Sequence, residues 1–274
     1  MVIYRALSIA GSAARGGAGI QADLKTFQEL DVFGMSAITA IVAPHPRTGQ
    51  GIFPQSLDAI EAQVHTALRD IGADALKTGM LFTEEIIENT ADWIQESGVE
   101  KVVVDPVMIG KMGSKLLKDN AIDAMKNRLL PIATIITPNM PEAAELLGVD
   151  ELMTVEDLKK SAKALHLLGP KYVLVKGGLL EGPAIDILFD GERTYVLEAP
   201  RIDTIHTNGA GCTYSAAITA ELAKGQSVPD AVEKAKKFIT AAIRHSLSFK
   251  SGVGPTYHAA YRKYSETACK VTIE

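Results

Sequence analysis

The sequence predicts an α/β fold, a mostly parallel central sheet wrapped by helices, with an antiparallel hairpin at one edge. Three observations carry this. Short apolar runs alternate with longer amphipathic stretches along the chain, the pattern of parallel strands joined by crossover helices. Polar and glycine-rich stretches fall where those runs end, as strand-to-helix junctions require. The rhythm breaks once, over Ala184–Ala199, where the runs Asp186–Phe189 and Thr194–Leu197 flank Asp190–Gly191, a hairpin turn signal.

Taken in order, Ala6–Ala10 reads as a buried strand, followed by a glycine-rich turn and a helix over Gln21–Leu30. Met35–Ala43 is a second strand entering a polar loop with Pro44, Pro46 and Pro54. Ser56–Asp70 is a helix with Ser56 as N-cap and Leu57, Ile60, Val64, Ala67 and Leu68 on one face. Ala75–Thr78 is a strand, Thr83–Ser97 a helix capped by Thr83, and Lys101–Asp105 a strand ending in a carboxylate. Leu116–Leu129 is helical, Thr134–Thr137 a strand, and Met140–Leu147 a helix with Pro141 in its first turn. A helix over Val155–Leu168 leads to the strand Tyr172–Lys176, which stops at Gly177–Gly178. After the hairpin, helices resume at Gly211–Ala223 and Pro229–Ser246, and Thr267–Glu274 reads as a short extra strand.

A chain of 274 residues lies near the upper size of one hydrophobic core. With no repeat or linker to divide it, one domain over 1–274 with a short tail at 265–274 is expected. The formal charge of -5 argues against a nucleic-acid partner. No window approaches 18 consecutive apolar residues and the N-terminus lacks the pattern of a secretion signal, so no membrane span is expected. Two cysteines, Cys212 and Cys269, cannot build a disulfide framework, and a reduced, cytoplasmic protein is expected.

Four groups of residues at the strand ends carry chemistry. Gly11–Gly19 holds four glycines, which let main-chain N–H groups approach a ligand. No Gly-Lys-Ser/Thr follows, so it is not a Walker loop. Thr207–Thr213 feeds a helix of small residues, and its Gly209-Ala210-Gly211-Cys212 turn makes an anion hole from free N–H groups and the helix dipole, or serves close packing alone. Cys212 in the first turn is expected to have a lowered thiol pKa. Asp105, with Asn139 and Glu142 on one helical face, suits Mg²⁺, which takes few protein oxygens plus water and phosphate. The alternative is that Glu142 caps its own helix. Lys176 and Lys111 can each meet a phosphate as a point charge, or lie solvated.

As an ordered set, AGSxxxGGAGIQAD, KTGM, VVVDPVM, ITPNxxEA, VKGG and GAGCT resemble the pyridoxal kinase and hydroxymethylpyrimidine kinase branch of the ribokinase superfamily, from Ala6 to about His258. The resemblance implies a three-layer ribokinase-like fold and transfer of the γ-phosphoryl group of ATP to a hydroxymethyl group on a small nitrogen heteroaromatic. It implies that Gly209, Ala210, Gly211 and Cys212 form the anion hole, with Cys212 activating the acceptor hydroxyl. Asn139 and Glu142 would organise Mg²⁺ with Asp105, while Lys176, Lys111 and Thr213 lie on the nucleotide side. Asp23, Met80 and Val107 match positions lining the heteroaromatic pocket, joined by Gly11, Ala18 and Pro44. A homodimer is implied, and a monovalent-cation requirement is left open.

The closing SGVGPTYHAAYR resembles the pyridoxal-kinase side, whereas VMIGKMGSKLL and NMPEAAELLG read more like the pyrimidine-kinase side. Pro44 stands where pyrimidine kinases of the branch carry Gln, and proline has no N–H to offer. Gly110 and Asn208 stand where pyridoxal kinases often carry a Cys–His pair that engages the aldehyde, and Ala13 and Ala14 replace polar residues of the first loop. His45 and His206 lie near enough in sequence to compensate. The leading reading is therefore a pyridoxine/pyridoxal/pyridoxamine kinase, followed by a hydroxymethylpyrimidine/phosphomethylpyrimidine kinase. A non-catalytic ligand-binding descendant comes third.

Overall fold

A computed structural model describes residues 2–108, 119–250, 252–264 and 268–274. Among the described residues ten strands form one sheet: β1 (Tyr4–Ala13), β2 (Val32–Val42), β3 (Ile52–Pro54), β4 (Ala75–Thr78), β5 (Val102–Val104), β6 (Ile135–Ile136), β7 (Tyr172–Lys176), β8 (Ala184–Phe189), β9 (Thr194–Ala199) and β10 (Lys270–Ile273). Their spatial order is β10-β9-β8-β7-β6-β5-β4-β1-β2-β3. The run from β2 to β7 through β1, β4, β5 and β6 is parallel. The helices are α1 (Ile20–Glu29), α2 (Leu57–His65), α3 (Glu84–Ser97), α4 (Asp119–Ala124), α5 (Met140–Leu147), α6 (Val155–His166), α7 (Ala210–Ala223), α8 (Val228–Arg244) and α9 (Ala260–Tyr264).

Alternation along the central strands assigns the layers. Leu7, Ile9, Leu76, Val102, Val104, Val173 and Val175 pack with residues of α2 to α6. Their neighbours Ala6, Ala75, Val103 and Leu174 pack on the opposite face with Phe27 of α1 and with α7 and α8. Both faces are covered, which is why these strands read as continuous apolar runs.

The capping residues act as the sequence predicts. Ser56 and Thr83 accept from the N–H groups of Ala59 and Ile86 to start α2 and α3. The predicted helix over Ser56–Asp70 changes character at its end, where Thr66–Ile71 is a π-helical stretch. The predicted helix over Leu116–Leu129 is described as α4 followed by a π-helical turn, Met125–Leu129, and its first residues lie outside the described ones.

Three features differ from expectation. The strand predicted as Ala6–Ala10 runs on to Ala13, with an irregularity in its pairing to β2 between Ala10 and Ser12. The glycine-rich segment is thus partly strand, folding back so that Ser12 bridges Gly19. The proline-rich loop after β2 contains β3, antiparallel to the end of β2. Pro54 is tolerated there because an edge strand leaves one side unpaired. At the other margin the β8–β9 hairpin is not outermost, since β10 of the tail pairs antiparallel to β9.

Candidate active site

The parallel strands all end on one side, and there the expected residues converge. β1 turns at Gly11, β4 delivers Lys77 to Met80, β5 delivers Asp105, β6 leads to Asn139, β7 ends at Lys176, and α7 points its N-terminus at this rim. Main-chain bonds lock the rim: Gly79 N–H to Ile9 O at 2.9 Å, Asp105 N–H to Thr78 O at 3.0 Å, and Lys176 N–H to Pro138 O at 2.9 Å. Gly209, at φ 77°, caps α7. A methyl group there would stand 1.7 Å from Gly17 O, so the two glycine-rich segments touch through main chain.

On one half of the rim, Lys176 Nζ lies 3.2 Å from Asp105 Oδ1, both side chains largely buried. Asp105 also accepts from Ser215 Oγ of α7 at 3.1 Å and Thr137 Oγ1 at 3.3 Å. Burial raises the Asp105 pKa, but Lys176 and Lys77 outweigh it and hold the carboxyl below its ordinary value. A methyl at Gly211 would stand 3.3 Å from Lys176 Nζ, which places the ammonium against the first turn of α7.

Asn139 and Glu142 form a complete capping box on α5. Glu142 N–H donates to Asn139 Oδ1 and Asn139 N–H donates to Glu142 Oε2, each at 2.9 Å. The alternative that Glu142 caps its own helix is therefore correct. It does not exhaust the residue, because Glu142 is buried and burial pushes its carboxyl up to about 7, against the lowering influence of Lys176. Among the described residues no group of three or more His, Cys, Asp or Glu could hold a metal ion. Two buried carboxylates sharing one lysine fit Mg²⁺ held mostly by water and phosphate, and do not fit an all-protein cage.

On the other half of the rim, Asp23 of α1 is wholly buried, and its Oδ2 accepts from Ser8 Oγ at 2.6 Å and from Lys77 Nζ at 3.1 Å. Its other oxygen, Oδ1, is buried with no partner. Met80 is buried and faces Gly11, where an added methyl would meet Met80 Cε at 2.6 Å. Ala18 and Val107 are half-buried. Lys77 is the residue that sequence reasoning missed. It belongs to the quoted KTGM motif, but a lysine inside a strand reads as solvent-facing, and only its register with Ser8 and Val103 puts it on the α1–α7 face.

Cys212 corrects an expectation. It sits in the first turn of α7, and Gly19 N–H and Lys77 both act to lower its pKa, but burial dominates and raises the thiol to about 11. Helix-end thiols fall in pKa only where solvation of the charge survives. Thr213, expected on the nucleotide side, turns inward, its Oγ1 3.2 Å from Thr256 Oγ1 and 3.1 Å from His258 Nε2. Pro44 is exposed, two positions past the end of β2. Lys111 and Gly110 lie outside the described residues. Neither histidine named as a compensating group is free: His206 Nδ1 accepts from Gly254 N–H, and His45 Nδ1 from Arg47 and Thr48 N–H. Both cysteines are free thiols.

Comparison with known proteins places the chain among the small-molecule kinases that use ATP. The chain belongs to the phosphomethylpyrimidine kinase family, whose sequence profile matches residues 14–257. It is 51% identical over 266 residues to the pyridoxine kinase of Bacillus subtilis (strain 168), covering 96% of this chain and 98% of that protein. It is 45% identical over 267 residues to the hydroxymethylpyrimidine/phosphomethylpyrimidine kinase of the same strain, covering 97% and 98%. The structure of the pyridoxal kinase from Staphylococcus aureus in complex with AMP-PCP and pyridoxal superposes with a TM-score of 0.93 at 42% identity, covering all of both chains. The ribokinase-like fold expected from the motifs is thereby established.

Proposed function

We propose that this protein transfers the γ-phosphoryl group of ATP to the hydroxymethyl group of pyridoxine, pyridoxal or pyridoxamine. The observation that carries this is the siting of Cys212 and the Gly209–Gly211 turn between two halves. Lys176, Asp105 and Glu142 lie on one side, and Asp23, Met80 and Gly11 on the other. The acceptor oxygen attacks the γ-phosphorus while the bond to the β–γ bridging oxygen breaks, and ADP leaves with that electron pair. Phosphoryl transfer asks mainly for positioning and charge neutralisation. Lys176 meets the nucleotide phosphates, and the positive end of the α7 dipole, at the Gly211 and Cys212 main chain, receives the transferred group. Asp105 and Glu142 would hold Mg²⁺, which supplies charge neutralisation on the phosphates when bound.

Cys212 takes the acceptor proton in its thiolate form. A pKa of about 11 makes that form scarce at neutral pH, so turnover rises with pH. The unpartnered Asp23 Oδ1 receives a hydrogen-bond donor of the heterocycle.

Coupled ATPase assays with pyridoxine, pyridoxal, pyridoxamine and hydroxymethylpyrimidine test the assignment. Turnover of a B6 vitamer is expected, and turnover of the pyrimidine alone overturns it. The second reading, a kinase of hydroxymethylpyrimidine or its phosphate, is supported by the 45% identical relative. Pro44 counts against it, because it offers a pyrimidine no donor. With Gly110 and Asn208 in place of the pair that captures the aldehyde and both nearby histidines engaged, pyridoxine is the expected best acceptor. We also propose a cytoplasmic homodimer; light scattering in solution tests its mass. No described helix is long and apolar enough to cross a membrane.

A further inference from the structure

A third buried ion pair lies behind the phosphate-side half and is not used by the chemistry above. Asp186 of β8 and Lys236 of α8 meet at 2.5 Å (Oδ2 to Nζ), both nearly inaccessible to solvent. A buried pair of this kind contributes little net stability against an apolar pair of similar volume, and its best-attested use is to fix a particular geometry. What it fixes here is the end of β7. Asp186 is the cross-strand partner of Lys176. Its other oxygen, Oδ1, accepts from Gly177 N–H at 3.0 Å, and the same N–H reaches Ile185 O at 3.1 Å.

Gly177 cannot carry a side chain, because a methyl would lie 2.3 Å from Ile185 O. One residue further, a methyl on Gly178 would meet nothing within 4 Å. The clamp therefore grips the peptide immediately after Lys176, while the next carbonyl, Gly178 O, is held instead by Arg201 Nη1 at 3.0 Å. From the opposite side Lys176 N–H is held by Pro138 O. With its main chain fixed on both sides, the Lys176 side chain extends to Asp105 and the first turn of α7.

We infer that Asp186 is a positioning residue for Lys176, that Lys236 holds its carboxylate in place, and that the pair thereby sets affinity for the nucleotide phosphates without touching them. This rests on the reading of Lys176 as the phosphate-side lysine. Calorimetric titration of the full-length protein with AMP-PCP and Mg²⁺ tests both, with folding checked by circular dichroism. Lys176→Ala is expected to weaken binding about tenfold or more. If it does not, the phosphate-side reading fails.

Asp186→Ala removes the clamp and is expected to weaken binding about tenfold, since small misplacements of a positioned group carry such costs. The Michaelis constant for the acceptor should stay within about twofold. Asp186→Asn keeps an acceptor for Gly177 N–H and is expected to bind within about threefold of the parent, a rescue that a purely structural role does not produce. A folded Asp186→Ala protein that binds AMP-PCP as the parent does, while Lys176→Ala does not, overturns the inference. Should Asp186→Ala fail to fold, the double variant Asp186→Leu with Lys236→Met replaces the pair by apolar groups of similar size and removes the acceptor for Gly177 N–H. Tenfold weaker binding of AMP-PCP by that variant then upholds the clamp, and binding within about threefold of the parent overturns it.

Discussion

Lys77 Nζ stands 3.1 Å from Asp23 Oδ2 beneath the N-terminus of α7, with both side chains wholly excluded from solvent. Burial disfavours the charged lysine, but the carboxylates of Asp23 and Asp105 and the Cys212 thiol outweigh that and hold its pKa above the ordinary value. Removing one partner strands the other. Lys77→Met should cost about 3–5 kcal/mol of stability in urea unfolding, and adding Asp23→Asn should recover much of it. A double variant no more stable than the single one would mean that the pair is not coupled.

The Cys212 thiol titrates near 11 in the ligand-free protein because burial outweighs the lysine and main-chain donor beside it. Its thiolate fraction should rise about tenfold per pH unit across the neutral range. In a Cys269→Ser background, the rate of alkylation by iodoacetamide should climb without a plateau until pH approaches 11. A plateau near pH 8 would restore the expectation of an activated helix-end thiol. Cys212→Ala should lower kcat by about 10²–10⁴-fold, the usual worth of a general base.

Glu142 carries its own pH signature. Its carboxyl rises from an ordinary 4.5 to about 7 on folding, chiefly through burial. The folded chain therefore holds a proton there that the unfolded chain has released. The stabilisation is fully present below 4.5 and is lost as pH rises through 7. Glu142→Gln keeps the capping geometry and should flatten this part of the stability–pH curve, measured by denaturant midpoints between pH 5 and pH 8. In the intact enzyme Mg²⁺ should favour the ionised carboxyl, so the acid limb of activity should move to lower pH as Mg²⁺ is raised.

Two glycines should respond differently to the same methyl group. Gly209→Ala drives the methyl to 1.7 Å from Gly17 main chain at a φ of +77°, which no side-chain motion relieves. A fall in stability above about 2 kcal/mol and near-complete loss of turnover are expected. Gly11→Ala meets only the mobile end of Met80 at 2.6 Å. It should leave folding and nucleotide binding close to the parent while raising the Michaelis constant for the acceptor, as the displaced methionine enters the pocket.

Much of this was legible in the chain itself. The sequence marked nine of the ten described strands, the central ones because strands covered on both faces must be apolar throughout. Ser56, Thr83 and Pro141 marked helix starts through local hydrogen bonding and φ restriction. Asp190–Gly191 placed the hairpin turn. The short β3, by contrast, hides among prolines and becomes a strand only because the end of β2 offers an unpaired edge.

The sequence by itself determined the order of the elements, the rim on which the strands end, and the set of motifs that places the chain among the ATP-dependent vitamin kinases. These are local matters of periodicity, capping and residue type. The tertiary structure decided what the charged side chains do. It buried Lys77 against Asp23 and locked Asn139 and Glu142 into a cap. It also raised Cys212 where a helix terminus alone predicts a lowered thiol, and set Asp186 and Lys236 behind Lys176. The reason is physical: the ionisation and reach of a buried group depend on its desolvation and on charges brought near by the fold, and spacing along the chain encodes neither.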